Sequence, residues 1–170
     1  MDGGSLITSV AEFIRYFEGV RRRTVAAVDR VTPPLAAYKP RPEEWTCAEI
    51  VRHLTGAERF FVTKVMEDRF STDLELGPDE AWSVTRSRLD EVHRAEMARL
   101  STLPDARLAE KVVDLEGGRV SAWRFLMAMT EHEVHHRSQL DAWLALAGTE
   151  PPQIYGYRME DVVAKLGARV

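Results

Sequence analysis

The chain has 170 residues, 45% hydrophobic and 29% charged, with a formal net charge of −4. That is the balance of a folded globular chain, and without a basic footprint it argues against nucleic acid as a partner. No apolar run reaches the roughly 18 residues of a membrane span, MDGGSLITSV is not a signal peptide, and the single Cys47 cannot form an internal disulfide, so a cytoplasmic protein without a membrane partner is expected.

At this length one domain over residues 1–170 is expected. The first helix is predicted from about Ser5 to Arg30. Leu6, Val10, Phe13, Ile14, Phe17 and Val20, continued by Thr24 and Val28, form one apolar stripe at helical spacing. Arg21-Arg22-Arg23 on this helix reads as a solvated face. Pro33-Pro34 stops the helix, and LAAYKPRPEE is an extended connector. Thr46-Cys47-Ala48-Glu49 is a capping box that opens the second helix, which runs to about Arg69 with Ile50, Ala57, Phe60 and Phe61 on one side.

The linker STDLELGPDE leads into a third helix, from Pro78 or Asp79 to about Leu100, and Pro104 ends that region. KVVDLEGGRVSA alternates around Gly117-Gly118, the pattern of a short hairpin or an irregular insertion. Ser121 is placed to cap a fourth long helix reaching Ala147, closed by Gly148 and Pro151-Pro152. A last short helix is predicted over Met159 to Leu166. The fold class that follows is all-α: a four-helix bundle with a small hairpin or irregular insertion before the last long helix.

The fourth helix holds three histidines in five positions, His132, His135 and His136. With His136 at zero on the helical wheel, His132 lies about 40° away, and Phe125, Met129, Leu140 and Trp143 fall within roughly 40°. Both imidazoles therefore sit in the middle of the apolar stripe, whereas His135 is about 100° off at its edge. Residues at i and i+4 can reach one ion. His53 repeats the anomaly on the second helix, sharing a face with Ile50, Ala57 and Phe60. A lone core histidine is commonly only hydrogen-bonded. Two at i, i+4 need partners for four ring nitrogens, which a metal supplies as readily as hydrogen bonds do. His93, in DEVHRAEM, belongs to a charged stretch and reads as solvated. Cys47 stands at a helix N-terminus, where a thiol pKa falls, though a structural role is the simpler reading.

His132-Glu133-Val134-His135-His136 also spells H-E-x-x-H, in which Glu133 would act on a zinc-bound water. No glycine and third histidine follow, Arg137-Ser138-Gln139-Leu140 standing there instead. No run of strands is present to pair an extended peptide. A protease is therefore set aside.

Trp45 to Phe61, WTCAEIVRHLTGAERFF, followed by HEVHHRSQLDAWLALAG and then PP, resembles the DinB/YfiT-like superfamily over most of the chain. The departure is Ser138, where relatives often have glycine, on the opposite helix face. The resemblance implies a four-helix bundle, commonly a homodimer, with a metal held by His53, His132 and His136. It implies a metal-dependent thiol S-transferase acting on a small-molecule electrophile, with a low-molecular-weight thiol (bacillithiol, mycothiol or glutathione) as co-substrate. A bundle that binds a metal or small ligand without turnover, and a metal-dependent hydrolase, are the alternatives. Three neutral imidazoles leave a position open on a divalent transition ion, and they suit zinc or nickel, as well as copper and iron. Glu49, Glu133 and Gln139 are the nearest candidates to orient ligands or move a proton.

Overall fold

Serine and aspartate side chains fix where the first helix begins. Ser9 is extended and its hydroxyl accepts from the Glu12 amide at 3.4 Å, while Asp105 Oδ1 accepts from the Val10 amide at 2.8 Å. Two of the donors that a helix start leaves orphaned are thereby satisfied. The computed structural model describes residues 6–71 and 80–168. The first helix, α1, spans Val10–Val28, so it starts later than Ser5, which lies outside the described residues. Leu6 precedes it and is exposed.

Pro33–Ala36 forms a single turn, α2, which takes in the Pro33-Pro34 stop and the first two residues of the connector expected to be extended. Helix α3, Cys47–Glu67, opens with the predicted capping box: the Glu49 amide donates to the Thr46 hydroxyl at 3.1 Å, and the Thr46 amide to Glu49 Oε2 at 2.6 Å. It ends at Asp68, whose φ of 53° is left-handed. Buried Lys64 holds Asp68 Oδ1 at 2.7 Å and lies over the Phe70 ring at 4.2 Å. The same oxygen accepts from the Val113 amide at 3.0 Å, tying the end of α3 to the hairpin.

Helix α4 spans Trp82–Leu100; the expected start at Pro78 or Asp79 lies outside the described residues. The alternating segment is a true hairpin, β1 (Lys111–Val113) pairing antiparallel with β2 (Arg119–Ser121), Val112 opposite Val120. Asp114 Oδ1 accepts from the Glu116 and Gly118 amides across the turn, and Gly117 takes a φ of 83° that favours glycine. Ser121 is therefore a strand residue and not a cap. Helix α5, Trp123–Leu146, follows after Ala122, whose amide donates to the Glu110 carbonyl. Helix α6, Met159–Gly167, has no buried residue. Among the described residues no helix is long and apolar enough to cross a membrane.

The four long helices α1, α3, α4 and α5 form the bundle, α3 packing against both α4 and α5, and α1 against α5. Their interior is two apolar clusters. One, toward the hairpin, includes Phe13, Phe17, Val62, Leu100, Trp123 and Leu126. The other includes Val28, Ile50, Leu54, Leu89, Leu140 and Leu144. Trp123 is thus a core residue.

Between the clusters lies a layer of charge, with one residue from each long helix. Arg21 of α1 is ion-paired to Glu58 of α3 and lies 3.2 Å from Glu133 Oε2 of α5. His93 Nδ1 of α4 lies 2.8 Å from Glu58 Oε1. The predicted solvation of Arg21 and His93 is therefore wrong: Arg21 is 3% exposed, and His93 is largely covered. Burial opposes protonation of His93, but the hydrogen bond and charge of Glu58 outweigh it and raise its pKa above the ordinary value. Burial likewise opposes the charge of Arg21, and Glu133 with Glu58 overcomes it.

Removing one member of such a group leaves the others charged and unpaired. Arg21→Met is expected to lower stability by about 3–5 kcal/mol, whereas Arg22→Met, at an exposed neighbouring position, changes it by less than about 0.5 kcal/mol. Urea unfolding followed by circular dichroism measures both.

Candidate metal centre

Helices α3 and α5 bring the three histidines singled out by the apolar-stripe argument to one point. The ring centroids of His53, His132 and His136 are 4.7, 4.6 and 4.5 Å apart pairwise, close to an equilateral triangle. One ring nitrogen from each lies within 4.8 Å of the other two. His53 Nε2 and His132 Nε2 are separated by only 2.8 Å. Exposed His135 sets its ring against that of His136 at 4.7 Å but does not join the group.

The local chemistry leaves these rings able to act as ligands. Burial, reinforced by the neighbouring rings, pulls His53 down to about 4 and His132 to about 3. Burial also lowers His136, with Gln139 pulling the other way. At neutral pH the rings of His53 and His132 are therefore uncharged and keep a lone pair. Gln139 Oε1 accepts from the Nδ1–H of His136 at 2.9 Å, which fixes the tautomer and frees Nε2. Three neutral imidazoles fit a borderline divalent transition ion, and such a set could hold one with a position left open.

Trp45 covers one side of the triad. Its ring lies 4.6 Å from that of His53 and 5.6 Å from that of His136. The Trp45 carbonyl accepts from Trp143 Nε1 at 2.8 Å, which anchors the residue just before the α3 cap. Beside His53 and His132 is a partly enclosed cavity of about 200 Å³, with Gly56, Ala57, Phe60 and Phe61 as its remaining lining. Its position was missed from sequence, although Phe60 and Phe61 were on the expected face.

The other candidates fall elsewhere. Glu133 turns away from the triad toward Arg21; full burial raises its pKa, while Arg21 and the Thr24 hydroxyl pull it down. The Glu49 carboxylate is occupied by the α3 cap. Cys47 is buried, and burial drives its thiol up to about 11, so the helix N-terminus does not make it reactive. Of the three accessory candidates Glu49, Glu133 and Gln139, Gln139 alone touches the triad.

Without metal, the depressed imidazoles tie stability to acidity. Unfolding restores His53 and His132 to about 6.5, so the unfolded chain takes up protons first as pH falls. Stability is accordingly lost from about pH 6.5 downward, toward the folded-state values near 4 and 3. Thermal melts of metal-free protein should show this decline, and the decline should be shallower in His132→Phe. Identical slopes would remove these rings as its cause.

Comparison with known proteins places the fold. A comparison with curated proteins gives no match. Among solved structures, a DinB-like protein of Bacillus cereus superposes with a TM-score of 0.75 at 20% identity, over 87% of this chain and 99% of its own. A DinB-like protein of Bacillus subtilis gives 0.69 at 21% identity, over 84% and 96%. YfiT of Bacillus subtilis, a four-helix bundle of unusual topology, gives 0.66 at 20%, over 88% and 93%. At these identities the likeness is one of fold. The family model of the DinB superfamily matches residues 16–140, from α1 through the triad-bearing part of α5, and the chain belongs to that superfamily.

Proposed function

We propose that this protein is a metal-dependent enzyme acting on a small molecule, with His53, His132 and His136 holding a divalent transition ion. Zinc and nickel are the leading candidates. The observation that carries the reading is the convergence of three ring nitrogens within 4.8 Å at the wall of a cavity. When bound there, a dication with neutral ligands lowers the pKa of a thiol or water in its open position.

The surrounding residues favour thiol chemistry. Among the described residues lining the cavity none is a carboxylate, and Glu133 is committed to Arg21, so no acidic side chain stands ready to take a proton from water. A thiol ionises near neutral pH and needs no such base. In S-transfer the thiol proton passes to solvent, the sulfur electron pair forms the bond to the electrophilic carbon, and the leaving group departs with its own pair. Gln139 holds His136 in its ligating tautomer throughout, and Trp45 keeps water from one side of the rings. A low-molecular-weight thiol is thus the proposed co-substrate.

The second reading, hydrolysis, is supported by YfiT, which is described as a probable metal-dependent hydrolase. Passive metal storage is disfavoured by the cavity at the triad.

Cobalt loading tests both the ligands and the chemistry. Elemental analysis should give one ion per chain, lost in His53→Ala, His132→Ala and His136→Ala and retained in His135→Ala. Titration of the cobalt form with bacillithiol, mycothiol or glutathione should produce sulfur-to-metal charge transfer, absent in His132→Ala. If all three thiols leave the wild-type spectrum unchanged, S-transfer fails and hydrolysis replaces it.

We also propose a two-fold homodimer, the commonest closed assembly and the one the family resemblance implies. Light scattering at micromolar concentration should return twice the mass of one chain; a single-chain mass would overturn it.

A further inference from the structure

We propose that the cavity beside His53 and His132 receives an uncharged apolar group about the size of one aromatic ring. This inference deepens the metal-dependent reading and rests on it in one respect: the triad is taken to be where the reaction occurs.

The cavity's shape and lining carry the argument. Its volume is about 200 Å³. Apolar cavities of about 150 Å³ take up benzene, so the walls of this one enclose a ring and one or two further atoms. Besides the two imidazoles, its described lining is glycine, alanine and two phenylalanines. The two imidazole rings are the only polar side chains in that lining. No cation and no carboxylate among these residues compensates a charged ligand, and an unpaired charge there would forgo its hydration without replacement.

The aromatic wall is also pre-formed. Phe60 meets Phe61 edge-on at 5.4 Å and stacks on Phe70 at 5.3 Å, and Phe61 meets the His132 ring edge-on at 5.7 Å. Phe70 in turn lies under Lys64 and beside Phe125. A ring entering the cavity meets other rings at fixed angles, with little side-chain ordering left to oppose binding. Trp45 packs against His53 and His136, whereas the cavity opens on His53 and His132 and gives an approach to the triad. The small molecule handled here therefore presents an apolar ring to Phe60 and Phe61 and its reacting atom to the histidines.

The test separates this inference from the metal reading by using metal-free protein first. Amide chemical shifts are followed while benzyl alcohol, or benzoate as its charged counterpart, is titrated in. Benzyl alcohol should shift Gly56, Ala57, Phe60 and Phe61 and bind at least about tenfold more tightly than benzoate. Ala57→Phe, which fills the cavity, should abolish those shifts yet load cobalt as wild type does. Phe60→Ala, which enlarges it, should weaken benzyl alcohol and strengthen 2-naphthalenemethanol, so a folding defect in the first variant leaves a second measurement. Equal binding of benzoate, or shifts elsewhere on the protein, would overturn the inference. If the cavity titration succeeds while the cobalt form ignores every thiol, S-transfer falls and the ring-sized site stands; the reverse pattern removes the ring-sized site alone.

Discussion

Four ionisable side chains, one from each long helix, meet in a largely buried layer, and the arrangement of the bundle follows from keeping them together. Arg21 faces Glu58 and Glu133, and His93 faces Glu58. With His93 protonated the formal charges cancel. Buried ion groups of this kind contribute little net stability, because desolvation offsets attraction. Their force lies in selection: any sliding or rotation of one helix against the others strands a charge. The apolar clusters on either side would tolerate small adjustments, as hydrophobic contacts are non-directional. The ionic layer does not.

That layer also orients the histidine triad. Glu133 must point at α1, and on an α-helix its neighbours His132 and His136 lie about 100° and 60° around the axis. Once Glu133 is committed, the two imidazoles can only face α3, where His53 waits. The acidic residue of the H-E-x-x-H spelling is therefore a structural anchor for the rings and not their chemical partner. Gln139, one turn beyond His136, takes the orienting role instead. The site is left with imidazole donors on one side and an apolar aromatic wall on the other.

Much of this was legible from sequence because imidazoles inside an apolar stripe are conspicuous. The i, i+4 pair on α5 and His53 on α3 needed only helical periodicity to be brought together, and the Thr46 capping box fixed where α3 begins. The ionic layer stayed hidden for an opposite reason. Arg21 lies on the same stripe as Phe17, Thr24 and Val28, and Glu58 falls between Leu54 and Val62, yet charged residues were assigned outward by default. The periodicity that exposed the histidines would have exposed these too. Glu133, between two faces, could not be assigned without knowing its partner. Ser121 shows another limit: a residue type favoured at helix starts was taken by strand pairing, which only the fold reveals.

Helix α5 carries apolar contacts before the ionic layer, at Leu126 and Met129, its two triad histidines on either side of Glu133, and a second set of apolar contacts, at Leu140 and Leu144, after it. A single residue inserted between Met129 and His132 would advance everything downstream by about 100° and 1.5 Å. Either the hydrophobic half or the charged half could then keep its partners, but not both. Seven inserted residues would restore the phase to within about 20°, yet they would carry Glu133 some two turns past Arg21. Length variation in such a chain is consequently confined to its connectors, such as the stretch after α2 and the tip of the hairpin, while the four helices keep a fixed residue count between their charges.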